Sequence, residues 1–447
     1  MCWNSKREKS IQPQIIPHPE SKIPLQDLND RALKVVRALK QHGYDAYIVG
    51  GAVRDLILDL HPKDFDVATN ATPEQIKAVF KNCRLIGRRF RLAHIYFGRE
   101  IIEVATFRGS HESAEHDSHA QTADCGRILR DNVYGTLEED AIRRDFTINS
   151  MYLDADNMEV VDYANGFVDI QNKSIRLIGD PEQRYREDPV RMLRAIRFAV
   201  KLGFSIEKNT EDPIKKLSHL LSNIPPARLF DECLKLFMGG KALATFEMLK
   251  EYGLFQVLFP MTADAIAKEE TGNAEAMLEQ ALKNTDIRIE QGKPVTPAFL
   301  FATFLWEPVR QLIASNTNER RSENEIYYEA AEDIAREQAQ IVSIPKRFSM
   351  PMKEIWRMQP RYLSRSGKRP FRLMEHQRFR AAYDFLLLRA GAGEVDQELA
   401  DWWTKFQEVD SVERSSMLLS QPKKRRNGRG RHSKHNRSKN IPSQSNT

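Results

Sequence analysis

The segment that most constrains the fold lies near residue 50, where a strand, two glycines, a helix and a second strand are predicted in succession. Hydrophobic residues at 46–49 predict a buried strand, which Gly50 and Gly51 end. A short helix is expected over 53–60. Residues 64–69 alternate between polar and apolar side chains, which predicts a strand with one buried face. The N-terminal part of the chain is therefore expected to form an α/β domain around this turn.

Two aspartates in the second predicted strand form the first candidate site. Asp64 and Asp66 are two residues apart, so in a strand their side chains point to the same side. Adjacent carboxylates repel each other unless a cation lies between them, and Mg²⁺ is commonly held by one or two carboxylates together with substrate phosphates. Gly50 and Gly51 let the backbone approach a phosphate, and Arg54 adds a positive charge. A D-x-D pair or a Gly-Gly turn alone is more often structural, but their succession predicts a metal and phosphate site.

Beyond this segment the predicted structure changes from mixed to helical near residue 179. Residues 109–127 show no periodicity and are predicted to be a mobile loop, whereas a capping box at Thr136 and Glu139 predicts a helix that runs to about residue 153. The expected fold class is α+β: an α/β head, then an all-helical neck and body, then a disordered basic tail. The predicted boundaries are 1–24 for a flexible N-terminal arm, 25–170 for the head, 171–240 for the neck, 241–413 for the body and 414–447 for the tail.

The composition argues against a membrane protein and against a disulfide-stabilised one. The longest apolar run, 297–306, is much shorter than the roughly 18 residues of a membrane helix, and the N-terminus shows no signal-peptide pattern. The four cysteines are scattered without a C-x-x-C pair, so neither a structural zinc site nor a disulfide framework is expected. We therefore expect a protein of the reducing cytoplasm that makes no membrane contact.

The positive charge of the chain is concentrated at its C-terminal end. The whole chain carries a formal charge of +6, and residues 414–447 contain ten Lys or Arg and no Asp or Glu. The preceding part of the chain therefore carries −4. The tail lacks apolar periodicity, so it is expected to be disordered, and its charge predicts non-specific contacts with phosphates.

A second group of charged residues lies inside the helix predicted from Thr136. Arg143, Arg144 and Asp145 stand beside apolar residues, and charges in such surroundings need partners. Asp145 would either complete a carboxylate cluster or pair with one of the two arginines. The residues alone leave both interpretations open.

A third group follows at 184–198. Arg191, Arg194 and Arg197 are three residues apart and so share one side of a predicted helix. That side is either an exposed basic face or the wall of a cleft. In the second case Asp188 and Arg191 would read the hydrogen-bonding edge of a base, and other arginines would hold phosphate oxygens.

Together these groups resemble the class II nucleotidyltransferase superfamily, which contains the bacterial poly(A) polymerases and the CCA-adding tRNA nucleotidyltransferases. The matching motifs, in family order, are Val49-Gly50-Gly51-x-Val53-Arg54-Asp55, Asp64-x-Asp66, Arg143-Arg144-Asp145-Phe146-Thr147-Ile148-Asn149 and Glu187-Asp188-Pro189-x-Arg191-x-Leu193-Arg194-x-x-Arg197-Phe198. The segments that resemble the poly(A) polymerase branch are 87–94, 184–188, 224–229, 344–347, 367–369 and 379–384. The HD-type phosphohydrolase motif that some CCA-adding enzymes carry is not recognisable.

The resemblance implies template-independent addition of AMP from ATP to RNA 3′ ends by two-metal nucleotidyl transfer, in RNA processing and decay. The implied cofactors are two Mg²⁺ ions, with Mn²⁺ as an alternative. The implied partners are ATP, RNA 3′ ends and the RNA-decay machinery. A CCA-adding enzyme is the main alternative, and a catalytically silent RNA-binding protein with the same fold is a weaker one.

The resemblance also implies residue roles. Asp64 and Asp66 would bind the catalytic metals, and Asp145 would be the third catalytic carboxylate. Glu103, on a neighbouring predicted strand, competes with Asp145 for that role. The implied nucleotide-binding residues are Gly50, Gly51, Arg54 and Arg144 at the triphosphate, and Asp188, Arg191 and Arg194 at or near the base.

Two basic regions are candidates for RNA binding. They comprise Lys346, Arg347, Lys368 and Arg369 in the predicted body, and Lys423, Lys424, Arg425 and Arg426 in the tail. Aromatic residues are interleaved with the first region, among them Trp356, Tyr362 and Phe371. These rings would either stack on bases or belong to the core.

Deleting residues 414–447 is expected to weaken RNA binding and to flatten its dependence on salt, because each neutralised phosphate releases counterions on binding. The measurement is the RNA dissociation constant of the full and truncated chains at several salt concentrations. An unchanged salt slope would contradict contacts between the tail and phosphates.

Overall fold

The computed structural model describes residues 12–87, 91–109, 120–122, 128–131, 133–316 and 321–418. A sheet-based head comes first, and helices make up most of the rest of the described chain. The predicted fold class is confirmed: an α/β head precedes a mostly helical neck and body, although the neck also contains one pair of short strands. The predicted tail lies almost entirely outside the described residues.

Eight of the described strands form the central sheet of the head. In chain order all twelve described strands are β1 (Gln14–Ile16), β2 (Ala46–Val49), β3 (Asp66–Thr69), β4 (Cys83–Ile86), β5 (Leu92–Phe97), β6 (Glu100–Thr106), β7 (Ala120–Thr122), β8 (Ile128–Asp131), β9 (Met151–Leu153), β10 (Val160–Asp162), β11 (Ser174–Ile175) and β12 (Ser205–Ile206). The sheet order is β1-β10-β9-β2-β3-β6-β5-β4. In this sheet β3 and β6 run parallel, and the other neighbours are antiparallel. β7 pairs with β8, and β11 pairs with β12.

Six helices belong to the head. They are α1 (His18–Ser21), α2 (Asp30–Gln41), α3 (Gly51–Ile57), α4 (Pro73–Val79), α5 (Leu137–Arg143) and α6 (Gly166–Gln171). Their starts follow from capping: Asn29 accepts hydrogen bonds at the start of α2, and Thr72 and Thr136 form capping boxes at the starts of α4 and α5. A 3₁₀ turn at Thr147–Asn149 leads into β9.

The neck and body consist of sixteen further helices among the described residues. They are α7 (Pro181–Glu187), α8 (Val190–Leu202), α9 (Lys208–Leu217), α10 (Pro226–Phe237), α11 (Ala242–Glu251), α12 (Leu254–Leu258), α13 (Pro260–Lys268), α14 (Asn273–Glu290), α15 (Pro297–Phe304), α16 (Trp306–Ser315), α17 (Glu323–Gln338), α18 (Lys346–Tyr362), α19 (Arg369–Met374), α20 (Phe379–Gly391), α21 (Gln397–Glu408) and α22 (Ser411–Ser416). Among the described helices, none is long and apolar enough to cross a bilayer.

Alternation along β3 separates two buried layers and sets the direction of the acidic side chain at its start. Val67 belongs to the main core, whereas Ala68 belongs to a smaller cluster with Phe107 and Tyr152. Asp66 and Ala68 lie on the same face because side chains two residues apart in a strand do so. Asp66 therefore points away from the main core.

The main core extends from the head through the neck into the body. One connected cluster of buried apolar side chains includes Val35 in α2, Phe246 in α11 and Phe385 in α20. A second cluster near the C-terminal end includes Tyr362 and Trp403. The head and the body are thus joined by continuous packing, which holds the cleft between the head and the neck in a defined shape.

The predicted flexible arm at 1–24 is ordered where it is described. β1 pairs with β10 at one end of the sheet, and Ile16 is fully buried in the main core. The prolines of this segment favour a flexible arm, but a short strand at the edge of a sheet tolerates one proline before it and another after it. Residues 1–11 lie outside the described residues.

The predicted helix from 136 to 153 ends ten residues early. α5 stops at Arg143, and Arg144 is already in an extended conformation. Phe146 then pairs with Leu177, and β9 begins at Met151. These pairings involve residues distant in sequence, so local capping and periodicity did not reveal them.

Two smaller predictions also change. Part of the predicted loop at 109–127 forms β7, while its remaining residues beyond 109 are not described. The body continues to Leu418, because Arg414 donates a hydrogen bond from Nε to the Phe406 carbonyl at 2.8 Å and Trp402 donates to the Met417 carbonyl. A truncation after 418 therefore tests the tail without disturbing the body.

Gly166→Ala is expected to destabilise the head by about 1–3 kcal/mol, the usual range for overpacking. An added methyl group would collide with the Thr147 carbonyl, which belongs to the 3₁₀ turn before β9. Urea unfolding measures the effect. Gly391→Ala is the matched control, because it adds the same methyl group into open space. Equal stabilities for the two variants would contradict the close approach of α6 to this turn.

Candidate active site

The turn between β2 and α3 brings backbone to the edge of a cavity between the head and the neck. Gly50 has a φ of 77°, in the region that favours glycine. A side chain at Gly50 would begin 3.5 Å from Nη1 of Arg144, and one at Gly51 would begin 3.5 Å from Nη2 of Arg54. The two glycines therefore let two guanidinium groups lie against the backbone.

The two predicted metal ligands both line this cavity, although they are not both in a strand. Asp66 is the first residue of β3, whereas Asp64 precedes the strand, so the predicted strand start at residue 64 was two residues early. Both aspartates are exposed, and Phe65 between them is buried in the core. The pair thus combines an anchored backbone with carboxylates that are accessible to a ligand.

Negative charge is in excess around Asp66. Its pKa is raised to about 6, first by the protein that displaces solvent around its carboxylate and then by the negative charge of Glu103. Glu103 lies opposite Asp66 in the register of β3 and β6. Asp64 adds a smaller increase in the pKa, and Arg144 lowers it. Crowded carboxylates of this kind fit a divalent cation.

Asp64 and Asp66 suit a metal ion that takes its remaining ligands from the substrate and from water. Within the described ranges, no three His, Cys, Asp or Glu side chains are grouped to hold a metal by themselves. Mg²⁺ rarely needs such a group, since it keeps several waters and binds one or two carboxylates with substrate phosphates. The donor set at Asp64 and Asp66 therefore matches magnesium chemistry.

Arg144 is fixed at the cavity wall by a buried network. Its Nε and Nη2 donate to Oδ2 of Asp140 at 3.2 and 3.0 Å, and Nε also donates to the Tyr152 hydroxyl at 2.9 Å. Tyr152 in turn donates to Asp140 at 2.6 Å. The nearby arginine keeps the pKa of Asp140 below its usual value despite burial. Arg144 is therefore a permanent, oriented cation.

Asp145 joins the head to the neck. Its Oδ2 accepts a hydrogen bond from Nε of Arg194 in α8 at 2.6 Å, and its Oδ1 accepts from the Phe146 amide at 2.8 Å and from Asn149 at 3.4 Å. Burial opposes ionisation, but Arg194 and these hydrogen bonds outweigh it and lower the pKa of Asp145 to about 2. Asp145 is thus a charged residue whose oxygens already have partners.

Arg54 lies deeper in the same wall and is nearly inaccessible to solvent. Nη1 donates to Asn149 at 2.5 Å, while Nε and Nη2 donate to Asp55. Lys201 in α8 also pairs with Asp55, at 3.2 Å. Arg54 therefore connects the glycine turn to the turn that carries Asp145 and Asn149.

The cavity gathers most of the predicted site residues. Its volume is about 540 Å³. The predicted residues that line it are Gly50, Gly51, Arg54, Asp64, Asp66, Arg144, Asp145 and Arg194. Glu103, Asp188 and Arg191 do not line it.

Asp188 and Arg191 lie beside the cavity in a separate polar network. Asp188 accepts a hydrogen bond from Arg228 in α10 at 2.7 Å. Arg191 donates to Glu187 at 2.9 Å and to the Arg184 carbonyl at 2.7 Å. Arg184 also donates hydrogen bonds to the backbone carbonyls of Arg143 and Arg144. This polar network therefore contacts the wall of the cavity through Arg184.

Four further basic residues line the cavity, three in the predicted neck and one at the start of the predicted body. They are Arg197, Lys201, Lys235 and Lys241. Nε of Arg197 is buried without a hydrogen-bond partner in the described chain, and its guanidinium lies 4.6 Å from the centre of the Phe198 ring. Burial and then Arg194 lower the pKa of Arg197. The three-residue spacing of the arginines was the available signal for Arg197; the lysines gave none.

The predicted RNA-binding residues of the body are exposed. Lys346 and Arg347 begin α18, and Lys368 and Arg369 stand at the start of α19. The interleaved Trp356 and Tyr362 are fully buried, so they belong to the core and do not stack on bases. Lys423, Lys424, Arg425 and Arg426 lie outside the described residues.

Comparison with known proteins follows the same division of the chain. Three family models match: "Poly A polymerase head domain" at 46–176, "Probable RNA and SrmB- binding site of polymerase A" at 203–266 and "Polymerase A arginine-rich C-terminus" at 319–440. Poly(A) polymerase I of Salmonella typhimurium is 49% identical over 90% of this chain and 88% of its own length. A CCA-adding enzyme of Lactobacillus helveticus is 38% identical over 50% of this chain and 54% of its own length.

The solved structures point to the same fold. The CCA-adding enzyme of Bacillus stearothermophilus in complex with CTP has a TM-score of 0.53 and 25% identity, covering 84% of this chain and 80% of that one. Fold and site define a nucleotidyltransferase of the class that includes the CCA-adding enzymes, which use divalent metal ions. The chain belongs to the poly(A) polymerase family, since relatives of that family match nearly its whole length. It is thus a nucleotidyltransferase enzyme of RNA 3′ polyadenylation, and the predicted membership is confirmed.

Arg194→Gln is expected to lower the free energy of unfolding at pH 7 by about 3 kcal/mol, because it leaves the Asp145 carboxylate buried without its cation. The folded-state pKa of Asp145 lies below the unfolded value, so its contribution is present above about pH 4 and is lost as the pH falls towards 2. The deficit of the variant should therefore shrink in acid. Urea unfolding at pH 7 and at acidic pH measures this.

Two control variants accompany this test. Arg37→Gln changes an exposed arginine of α2 that makes no ion pair within the described residues, and it should leave stability unchanged. Asp145→Asn combined with Arg194→Gln should recover part of the loss, because no unpaired charge remains. A double variant as unstable as Arg194→Gln alone would contradict the pairing.

Proposed function

We propose that this chain transfers AMP from ATP to RNA 3′ ends without a template. The observation that carries the proposal is the single cavity in which two exposed aspartates face arginines of the head and neck. Such a cavity offers anionic ligands for a cation and cationic ligands for a triphosphate. Family membership supports adenylate addition, because poly(A) polymerase I of Salmonella typhimurium is 49% identical over 90% of the chain, whereas the CCA-adding enzyme of Lactobacillus helveticus is 38% identical over 50% of it.

Asp64 and Asp66 would hold the metal, for which we propose two Mg²⁺ ions, with Mn²⁺ as the alternative. When bound, such ions acidify the attacking RNA hydroxyl and neutralise charge on the triphosphate. At neutral pH Asp66 is ionised, because its raised pKa of about 6 still lies below 7. The exposed position of both carboxylates leaves room for a substrate between them and the arginines.

The arginines of the cavity would bind and orient the triphosphate. Arg144 and Arg194 are held by carboxylates on one side, so their remaining N–H groups keep a fixed direction. Arg54 and the two glycines would complete this cradle. The contribution of the chain is positioning and charge neutralisation, which requires no covalent intermediate.

Asp145 remains our candidate for the third catalytic carboxylate. Its contacts support a role in which it holds Arg194 against the substrate while keeping its own charge. Glu103 is the competing candidate, since it faces Asp66 and influences its ionisation.

Adenine would be read by Asp188 and Arg191, with Arg194 nearby. An Asp acceptor and an Arg donor match the hydrogen-bonding edge of a base. Asp188 and Arg191 now contact Arg228 and Glu187, and these partners would hold the two side chains in place for recognition.

RNA would reach the site along the exposed basic residues of the body, Lys346, Arg347, Lys368 and Arg369, and along the tail. We further propose that the reaction takes place in the cytoplasm, in mRNA processing and decay, and that the RNA-decay machinery is a partner. The poly(A) polymerase I relatives support this placement.

The decisive experiment incubates the purified chain with an oligo(A) primer, Mg²⁺ and each NTP separately, and then sizes the products. We expect long A tracts from ATP and little extension with the other nucleotides. Asp66→Ala should reduce addition to background while leaving the dissociation constant of a long RNA largely unchanged, because it removes a metal ligand and none of the basic residues proposed to hold RNA phosphates.

Asp264→Ala is the matched control, because it removes an exposed carboxylate from α13 of the body. This variant should extend the primer as the unaltered chain does. Termination after three nucleotides on a tRNA would favour CCA addition, and undiminished extension by Asp66→Ala would refute the metal site.

A further inference from the structure

The catalytic aspartates stand between two cavities. Besides the nucleotide cavity, Asp64 and Asp66 line a second, open groove of about 950 Å³ at the ends of β3 and β6. We call it the acceptor groove; the residues that define it are Asn29, Arg31, Lys63, Phe97, Arg99 and Ile101. Lys63 and the two aspartates line both spaces, whereas Glu103 lines the groove alone.

The geometry of phosphoryl transfer assigns different substrates to the two spaces. The attacking oxygen and the leaving oxygen lie on opposite sides of the phosphorus, roughly in line. The glycine turn and the arginines on the nucleotide side would hold the triphosphate, and therefore the leaving group. The attacking hydroxyl must then approach the aspartates from the other side, which is where the groove lies.

We propose that the acceptor groove binds the 3′-terminal nucleotides of the RNA and presents their hydroxyl to Asp64 and Asp66. This inference rests on the proposed function. It identifies a binding site on the head that is distinct from the basic residues of the body and the tail.

The charges of the groove suit a short stretch of RNA backbone. Arg99 and Lys63 are exposed and make no ion pair within the described part of the chain. Arg31 pairs with Glu100, but both side chains are more than one third exposed, and exposed pairs of this kind are weak. Lys63 and Arg99 are therefore the two cations left for phosphates on a path that ends at the aspartates. The carboxylates of Glu100 and Glu103 also line the groove, so an RNA backbone must bind next to those two cations.

The groove also offers apolar surface beside these cations. Ile101 is 41% exposed although it lies in β6, and Phe97 at the end of β5 is half-buried. The two residues lie on opposite faces of the hairpin, because Phe97 is paired with Glu100 and Ile101 is the next residue along the strand. A base or ribose can pack on Ile101 while Arg99, in the turn between the two strands, contacts its phosphate.

The groove is large enough for its proposed occupant. Cavities of roughly 300–1,000 Å³ hold drug-sized ligands, and the groove lies at the upper end of that range. Its open shape suits the end of a polymer, which must leave the site and continue towards the body.

The test uses the full chain and a primer of three adenylates, so that contacts near the 3′ end make up most of its binding. Arg99→Glu is expected to raise the KM for this primer by about fivefold, the scale expected for reversing one exposed charge, without changing the KM for ATP. Ile101→Thr should raise the same KM, because it removes apolar surface and keeps strand preference.

Arg37→Glu is the matched control, because it reverses the charge of an exposed arginine of the head that lies outside the groove. It should leave both KM values unchanged. If Arg99→Glu and Arg37→Glu behaved alike, the acceptor groove would be refuted while the polyadenylation activity of the unaltered chain stood. An unaltered chain that failed to extend any primer would instead refute the proposed function.

A second measurement does not depend on turnover. An oligo(A) with photoreactive 8-azidoadenosine at its 3′ end is crosslinked to the full chain, and the modified peptide is identified by mass spectrometry. We expect modification within 97–103, lost in Arg99→Glu and retained in Arg37→Glu. Crosslinks confined to the neck or the body would overturn the proposal.

Discussion

The ion pair between Asp145 and Arg194 fixes the relation between the two walls of the active site. Its partners are 49 residues apart in the chain, one on the head and one on the first long helix of the neck. Because Arg191, Arg194 and Arg197 share one side of α8, fixing the middle arginine sets the direction of the other two. This partly buried pair is one of the contacts through which the two walls meet in a defined geometry.

Like charges are crowded on opposite sides of the cavity, arginines on one side and carboxylates on the other. Three guanidinium groups surround the Phe198 ring, with Arg54, Arg194 and Arg197 between 4.6 and 5.3 Å from its centre. On the other side, loss of solvent and Glu103 raise the pKa of Asp66. A ligand that carries both a cation and several phosphates offsets the repulsion among these arginines and the repulsion between the carboxylates of Asp66 and Glu103. The cavity is thus complementary to a metal-bound triphosphate.

The sequence predicted those parts of the site that local pattern determines. The strand at 46–49 and the turn at Gly50 were predicted because a hydrophobic run and the glycines that end it are visible in the local sequence. The path from Arg143 to Met151 was predicted as helix, and it is instead a helix end, a 3₁₀ turn and a strand. Its conformation depends on the pairing of Phe146 with Leu177 and on the close approach of Gly166 to Thr147. Neither contact produces a periodic pattern in the sequence. The acceptor groove escaped sequence analysis for the same reason, since it combines α2, the start of β3 and the turn after β5.

The basic stretch at 345–380 shows why composition alone overstates an RNA-binding surface. Arg357 pairs with Glu332, Arg365 with Glu398 and Arg378 with Glu354, so these arginines already have carboxylate partners. Its buried aromatic residues stabilise the body instead of presenting faces to bases. The exposed cations at the starts of α18 and α19 make no ion pair within the described residues, so they are the ones we propose for contacts with RNA phosphates. Phosphate contacts position a strand without reading its sequence, so this surface would not by itself select one RNA over another.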